Sequence, residues 1–356
     1  MIRIFTKRSL SADYYVQDAA LELDGVREGP AGYFLRGSGD LSSSDLLRDL
    51  WRTSPRASVV GYDIVIAAPR PLSILLAIGS LDEQRRLVAD HRQSVASAMA
   101  YLETRGIVVR TALEGERLDQ RGRWGSVIGF THGVNRQGEP HLHDHVLVPA
   151  LTEHRRAVLD SRSLEAHAEA ADALYRAEMR SRLAEGGVRE AWRNFRGIEV
   201  VEGVDEGARA VWPGERTRGA EKRYWSRQEI LEKWHRDAQG IASIYEHARP
   251  RHDRRYINEQ IFGQHILGRV SIGRRHVVEA FANAATFGAR AADIDLMVNA
   301  LYPEHRMEFG VREATLSRPT ALQLNLVRER GPRPVAFLEL ERWTQRERSR
   351  EVDRSR

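Results

Sequence analysis

Four histidines crowd one short stretch of this chain, FTHGVNRQGEPHLHDHVLVPAL at residues 130–151. Successive side chains of a β-strand point to opposite faces, so His143 and His145 share one face of HDHVLVPAL while Asp144 points away. His132 ends a second strand-like run, SVIGFTH, and the segment between them is rich in turn formers. A hairpin would therefore bring His132 beside the other two. The sequence predicts that three imidazoles converge on one face of a sheet.

Three neutral imidazoles on a rigid sheet predict a site for one divalent metal ion with open coordination positions. Mg²⁺, Mn²⁺ and Zn²⁺ are the candidates, and the open positions are typical of a catalytic site. A lone strand histidine is more often an ordinary surface or core residue, but packing alone does not explain this alternation. His141 has the same parity and is a weaker candidate ligand, and a role in supporting a ligand or contacting the substrate is at least as well indicated.

Arginine replaces lysine almost everywhere: only Lys7, Lys222 and Lys233 are lysines among 55 basic residues, and the formal net charge is +5. Arginine suits bidentate phosphate contacts, although a genome rich in G and C would also favour it. The basic excess is compatible with a nucleic-acid partner without establishing one.

The chain has no cysteine, which excludes disulfides and thiolate metal sites and indicates a reducing cytoplasm. The amino terminus, MIRIFTKRSL, lacks the apolar core of a signal peptide. The longest apolar run, near residues 72–78, is too short to span a bilayer, which requires about 20 residues. We therefore expect a soluble cytoplasmic protein with no membrane partner.

Apolar periodicity predicts strands followed by packing helices and then hairpins, an α+β arrangement. Strands are expected at 1–6, 59–66, 107–112, 126–131, 143–151 and 156–159, and helices at 80–106, 163–186, 226–247 and 275–302. The sequence S-L-D-E at Ser80 predicts a capping box at the start of its helix. Residues 26–57 carry many Gly, Ser and Asp and predict a surface loop leading into a short helix from Ser44.

Two further features carry chemistry. Tyr14 and Tyr15 are consecutive on a predicted helix, so one is expected to pack in the core while the other faces a cleft or solvent. Asp63 interrupts an apolar strand, where a carboxylate is costly unless paired. We expect Asp63 to hydrogen-bond a metal-ligating imidazole or a nucleophile, the alternative being a strand end in solvent.

With these residues the chain resembles the conjugative relaxases of the MobF type, which are histidine-hydrophobe-histidine (HUH) nucleases. The resemblance covers about residues 1–250, and the helical stretch to 330 more loosely. It rests on the Tyr14-Tyr15 pair, on GYDIVIAAPRPLS at 61–73, on the spacing of His132, Arg136, Pro140, Leu142, His143 and His145, and on LDSRS and ALYRAEMRSRL downstream.

The resemblance implies an α+β fold, with an antiparallel five-stranded HUH-type sheet flanked by helices and a mainly helical C-terminal annex. It divides the chain into a relaxase domain at 1–250, a helical annex at 251–335 and a charged tail at 336–356.

The implied activity is site- and strand-specific nicking and rejoining of single-stranded DNA at an origin of transfer, which initiates conjugative transfer. Tyr14, with Tyr15 as the alternative nucleophile, would attack the phosphodiester and leave a 5′-phosphotyrosyl link and a free 3′-hydroxyl. Asp63 would orient an imidazole or help take the phenolic proton. Arg70 and Arg136, near the strand-exit loop and the metal loop, are expected to contact DNA phosphates.

Accessory relaxosome proteins and a coupling protein are implied as partners, together with a bacterial cytoplasmic location and transfer with DNA to the recipient. The chain departs from the family in having one tyrosine pair, where many members have two, and in having Asp144 where Thr is frequent. Larger members carry a helicase with a GxxxxGK[ST] loop, a motif that does not occur here. Unwinding is thus expected from another polypeptide or from a region outside this sequence.

Three alternatives remain open at this point. A rolling-circle replication initiator of the same superfamily would share the chemistry and differ in its target. A three-histidine metallohydrolase acting through activated water would leave Tyr14 dispensable. A non-catalytic DNA-binding protein would keep the basic surface and would lose nothing on metal removal.

Overall fold

The chain forms two compact units in its computed structural model, Met1–Ala168 with Ala191–Ala248 and Glu169–Glu190 with Arg249–Arg356. The structure describes residues 1–9, 15, 32–36, 59–113, 116–150, 159, 161–186, 192–195, 198–201, 211–212, 226–239, 256–257, 259–266, 269, 272–301 and 335–336. Within these residues, no helix combines the length and apolarity needed to cross a membrane. The domain boundaries expected from the sequence remain a proposal.

An antiparallel five-stranded sheet of order β1-β3-β7-β6-β2 organises the first unit. The strands of this unit are β1 (Ile2–Lys7), β2 (Gly32–Arg36), β3 (Gly61–Ala67), β4 (Val108–Leu113), β5 (Glu116–Arg121), β6 (Val127–Val134), β7 (Pro140–Pro149), β8 (Trp192–Phe195) and β9 (Ile198–Val201). The pairs β4-β5 and β8-β9 form separate two-stranded hairpins. The predicted α+β fold with a five-stranded antiparallel sheet is confirmed.

Helices α1 (Arg70–Ile78) and α2 (Leu81–Tyr101) pack on β7 of this sheet. Two further helices are α3 (Ser161–Glu185), whose residues are divided between the two units, and α4 (Arg227–Asp237), which contacts α1. The capping box predicted at Ser80 is present, because its side chain accepts from the Glu83 amide while the Glu83 carboxylate accepts from the Ser80 amide. α2 ends in a π-helical turn at Leu102–Gly106.

The two faces of the sheet have different roles. The face formed by the even-numbered residues of β3 and β7 is buried against α1 and α2, and Ile64, Ile66, Val146 and Val148 have no exposed surface. Such burial is the main favourable term in folding. The opposite face, formed by the odd-numbered residues of β3 and β7 and the even-numbered residues of β6, carries the three histidines. A smaller apolar cluster of Tyr15, Ile128, Phe130 and Leu147 lies beside them.

The surface loop predicted within residues 26–57 is wrong at Gly32–Arg36, which forms the edge strand β2. Local composition hides this strand, since its stabilisation comes from partners on β6. Gly129 pairs with Tyr33, and a Cβ on that glycine would lie 2.6 Å from the Tyr33 ring. The absent side chain therefore makes room for the tyrosine.

The second unit is mainly helical, as expected, with α5 (Glu259–Ile266), α6 (Arg274–Ala284), α7 (Ala291–Leu301) and the short pair β10 (Tyr256–Ile257) and β11 (Val335–Ala336). The helical periodicity predicted over 275–302 corresponds to two helices, which a turn separates near Gly288, whose φ of 85° is left-handed. Of the strand predicted at 156–159, only Leu159 is described, in a bridge to Val109. The helix predicted from Ser44 lies outside the described residues.

Candidate metal centre and tyrosine site

The hairpin of β6 and β7 brings the three predicted ligands together. His132 pairs directly with His143, and His145 pairs with Phe130. The ring centroids are 5.2 Å apart for His132 and His143, 5.0 Å for His132 and His145, and 5.2 Å for His143 and His145. One nitrogen from each ring lies within 4.8 Å of the other two, and all three side chains are buried.

The hydrogen bonds of two of these rings suit a metal ligand. His145 Nδ1 lies 2.9 Å from Asp63 Oδ1, and His143 Nδ1 lies 2.8 Å from the His141 carbonyl oxygen. An Nδ1–H that donates to such an acceptor leaves the lone pair on Nε2, the tautomer that binds a metal. Burial and the neighbouring imidazoles hold the pKa of His143 well below its ordinary value, which keeps that ring neutral. The donor set fits one divalent cation.

Asp63 lies behind the triad as the shared acceptor of three groups. Besides His145, the Tyr15 hydroxyl donates to Oδ2 at 3.1 Å, and Lys7 Nζ lies 3.1 Å from the same oxygen. Burial raises the pKa of Asp63, but the hydrogen bond from His145 and the charge of Lys7 outweigh it and lower the pKa overall. Asp63 therefore contacts an imidazole of the triad and a tyrosine of the pair.

Of the tyrosine pair, the structure describes Tyr15, whereas Tyr14 lies outside the described residues. The Tyr15 ring is 2% exposed, stands edge-on to His145 at 5.4 Å and packs 5.8 Å from Phe130. Its carbonyl oxygen lies 3.3 Å from His132 Nε2. Tyr15 thus contacts the histidine triad directly.

The turn of the hairpin is held by its own side chains and by α4. Asn135 Oδ1 accepts from the Glu139 amide at 2.9 Å, and its amide group donates to the Glu139 carboxylate at 2.7 Å. Gly138 has a φ of 72°, and its carbonyl accepts from Trp234 Nε1 at 3.0 Å. Trp234 is fully buried, so it is a core anchor.

The guanidinium group of Arg70 forms its hydrogen bonds with acceptors of the protein. Its Nη1 donates to the Pro140 carbonyl at 2.7 Å, its Nε to the Trp212 carbonyl at 3.0 Å, and its Nη2 lies 3.3 Å from Glu139 Oε2. These contacts brace the start of β7, a role that the sequence did not suggest. Arg136, by contrast, is exposed at the tip of the hairpin. DNA contact by either arginine stays a prediction.

His141 lies beside the triad without joining it. Its ring is 4.5 Å from the His143 ring at an interplanar angle of 31°. Burial first, and then the charge of Arg70, lower the pKa of His141 to about 4. Its backbone oxygen, rather than its side chain, orients His143.

Two residues near this site were missed from the sequence. Lys7 occupies an odd position of β1, on the face of the triad, and this parity was the available signal. His91, on α2, contacts Asp144 on the opposite face, and nothing local in the sequence links two residues so far apart.

The family model for TrwC relaxase matches residues 34–255, more than half of the chain. The chain belongs to the TrwC relaxase family. The resemblance to conjugative relaxases that the motifs indicated is thereby confirmed, and the match includes Asp63 and all three histidines of the triad.

Solved structures of the TrwC relaxase share the fold. The metal-bound complex of conjugative relaxase TrwC with oriT DNA has a TM-score of 0.56 at 17% identity, covering 68% of this chain and 100% of that one. The complex of TrwC with a 27-mer DNA comprising the recognition hairpin and the cleavage site has a TM-score of 0.52 at 18% identity, with the same coverage. At these identities the likeness concerns the fold.

A curated relative is the multifunctional conjugation protein TraI of Escherichia coli, which is 30% identical over 101 residues. That alignment covers 26% of this chain and 5% of TraI. The TraI of Escherichia coli strain K12 matches over the same length with the same identity. The chain therefore corresponds to a small part of these relatives.

Proposed function

We propose that this chain nicks and rejoins single-stranded DNA at an origin of transfer by transesterification through a tyrosine. The observation that carries the proposal is the convergence of three imidazoles with Asp63, which contacts both His145 and Tyr15. Membership of the TrwC relaxase family supports it, as do the oriT DNA complexes of TrwC.

In the proposed reaction a tyrosine oxygen attacks the scissile phosphorus. The new bond is a phosphotyrosyl ester to the 5′-phosphate of the downstream fragment, and the bond from phosphorus to the 3′-oxygen of the upstream fragment breaks. The phenolic proton leaves as this bond forms, and the departing 3′-oxygen takes up a proton to give a 3′-hydroxyl. The reverse attack by that hydroxyl restores the strand without ATP, because the ester conserves the energy of the phosphodiester.

A phenol needs activation, since its ordinary pKa is about 10. Asp63 would orient Tyr15, because it accepts from the Tyr15 hydroxyl and its low pKa keeps it an acceptor at neutral pH. We propose Tyr14 as the nucleophile, because the first tyrosine of the pair has that role in the family that the motifs resemble. Tyr15 then positions its neighbour through its contacts with Asp63 and the triad.

His132, His143 and His145 would hold the metal. A divalent ion bound there supplies a Lewis acid near the phosphate and neutralises developing charge. The protein's own contribution is to hold two of these rings in fixed orientation, His145 through Asp63 and His143 through the His141 carbonyl. Mn²⁺, Mg²⁺ and Zn²⁺ remain the candidates.

The partners that we propose are single-stranded DNA, accessory relaxosome proteins, a coupling protein and a helicase activity. The exposed Arg136 at the hairpin tip would contact a phosphate near the triad. We propose a bacterial cytoplasmic location, with transfer to the recipient together with the DNA.

The experiment that tests this function incubates the protein with an end-labelled random single-stranded DNA library and Mn²⁺. A labelled adduct that survives denaturation and maps by mass spectrometry to the peptide containing Tyr14 and Tyr15 is expected, and a chelator should abolish it. Cleavage without any adduct would instead support a metallohydrolase. DNA binding with neither cleavage nor adduct would support a non-catalytic binding protein.

A further inference from the structure

Lys7 makes a contact that the proposed reaction does not yet use. Its Nζ lies 3.1 Å from Asp63 Oδ2, the oxygen that also accepts from the Tyr15 hydroxyl. We propose that Lys7 is a positioning residue for strand transfer, holding Oδ2 in place so that Oδ1 stays on His145 and Oδ2 on Tyr15. The reaction itself rests on the proposed function, whereas the positioning of His145 can be tested without DNA.

The carboxylate of Asp63 requires a cation. It is 2% exposed, and burying an ionised carboxylate is costly unless it is paired. Tyr15 and a metal-ligating His145 are both neutral donors, so they satisfy its lone pairs without balancing its charge. Lys7 is the cationic side chain that the described part of the structure places against it.

The sheet register explains how a lysine on an edge strand reaches this carboxylate. Lys7 pairs with Gly61, and Phe5 pairs with Asp63, so Lys7 and Asp63 are diagonal neighbours on one face. Because Gly61 has no side chain, the lysine can extend along the face toward Asp63. The Lys7 carbonyl accepts from the Val60 amide at 2.9 Å, which fixes the backbone from which the side chain extends.

The choice of lysine also supports this role. Arginine dominates the basic residues of the chain, and lysine occurs at three positions only. An ammonium group is a compact charge with three donors, which suits a single carboxylate oxygen in a crowded site. Lys7 Nζ also lies 5.8 Å from the centroid of the Tyr15 ring, within the range of a cation–π contact. Lys7 therefore contacts both the carboxylate and the tyrosine.

The test compares Lys7→Met, which removes the charge and keeps the length, with Lys7→Arg, which keeps the charge. Arg86→Met, on an exposed position of α2, controls for the general loss of one positive charge. The first readout is an NMR measurement on the full chain without DNA, with the histidines isotope-labelled. It follows the signal of the hydrogen-bonded Nδ1–H proton of His145, which is assigned by its loss in His145→Gln. We expect this proton signal to persist in wild type, Lys7→Arg and Arg86→Met, and to broaden or vanish in Lys7→Met.

The second readout is the single-turnover rate of adduct formation, at saturating Mn²⁺ and saturating concentrations of an oligonucleotide that the wild-type protein cuts. Lys7→Met should lower this rate by about tenfold or more, while Lys7→Arg restores most of it. Arg86→Met should stay within about twofold of wild type.

Two results would overturn the proposal. One is an unchanged His145 proton signal in Lys7→Met. The other is a Lys7→Met rate that equals wild type at saturating DNA while affinity alone falls, which would make Lys7 a simple phosphate contact. If wild type itself forms no adduct, the proposed function fails, and the proton signal alone decides whether Lys7 positions His145.

Discussion

His91 and Asp144 form a buried pair on the sheet face opposite the metal centre, with Nε2 of the histidine 3.1 Å from Oδ1 of the aspartate. Both side chains have no exposed surface. The Tyr33 hydroxyl donates to the other carboxylate oxygen. Asp144 stands between the two ligands of β7, so this pair joins the ligand-bearing strand to α2 and to the edge strand β2. Burial raises the pKa of Asp144, but the contacts with His91, Tyr33 and Thr131 lower it by more, so the pKa of Asp144 is below its ordinary value.

Removing one member of this pair should destabilise the fold strongly. We expect His91→Leu to lower the free energy of unfolding by about 3–5 kcal/mol, because it leaves a buried carboxylate without its main partner. Urea denaturation of the full chain measures this loss. The double variant His91→Leu with Asp144→Val should lose clearly less than the sum of the single losses, and additive losses would show that the two residues are not coupled.

The imidazoles should differ in their effect on metal affinity. Alanine at His132, His143 or His145 removes a ligand, and Mn²⁺ or Zn²⁺ binding by equilibrium dialysis should become undetectable in the folded variant. Asp63→Asn should weaken binding by roughly 10–100-fold, as expected for a group that orients a ligand. His141→Ala should be milder, because His143 donates to the backbone oxygen of that residue. Metal stoichiometry equal to wild type in His143→Ala would contradict the ligand assignment.

The two arginines expected to contact DNA should behave differently. Arg136→Ala should flatten the dependence of single-stranded DNA affinity on salt, by about 0.7 in the log–log slope for one phosphate contact, without changing stability. Arg70→Ala should instead lower stability by about 1–3 kcal/mol, because the buried carbonyl oxygens that it serves lose their donor. Thermal unfolding and salt titrations separate the two effects, with Arg86→Ala as control. An unchanged melting temperature for Arg70→Ala would refute its bracing role.

In the second unit, Glu279 should make helix stability depend on pH. Burial raises the pKa of Glu279, but His265 and Arg269 lower it below its ordinary value of 4.5. The carboxylate therefore stabilises the fold above pH 4.5, and this contribution is lost as the pH falls through the lower folded pKa. Glu279→Gln should reduce amide exchange protection in α5 and α6 at pH 6 and match wild type near pH 3. An equal deficit at both values would contradict this linkage.

The sequence was most informative for metal-ligating and charged residues whose position follows from the alternation of side chains along a strand. Strand alternation and a turn-rich connection were enough to place His132, His143 and His145 on one face and Asp144 on the other. Asp63 was predictable for a similar reason, since an ionised group within an apolar strand requires a partner. In these cases the constraint is local, or it follows from the geometry of one hairpin.

The remaining features depend on contacts between distant segments. The strand β2 exists because β6 offers a free edge and Gly129 leaves room for Tyr33, and neither fact is visible in residues 32–36. His91 resembles any other helical histidine until α2 is packed on the sheet. Arg70 was predicted to bind phosphate because the local sequence does not show its actual acceptors. These are the carbonyls of Pro140 and Trp212, which lie far away in the sequence.

The central claim, that a tyrosine of the pair forms the covalent bond to DNA, is tested most directly by the rate of adduct formation in Tyr14→Phe, Tyr15→Phe and the double variant. Each substitution removes one oxygen and keeps the ring, so metal and DNA binding should be retained. We expect Tyr14→Phe to abolish the adduct. Tyr15→Phe should slow adduct formation, because the Tyr15 hydroxyl donates a hydrogen bond to Asp63. Cutting of DNA by the double variant at the wild-type rate would contradict the tyrosine mechanism.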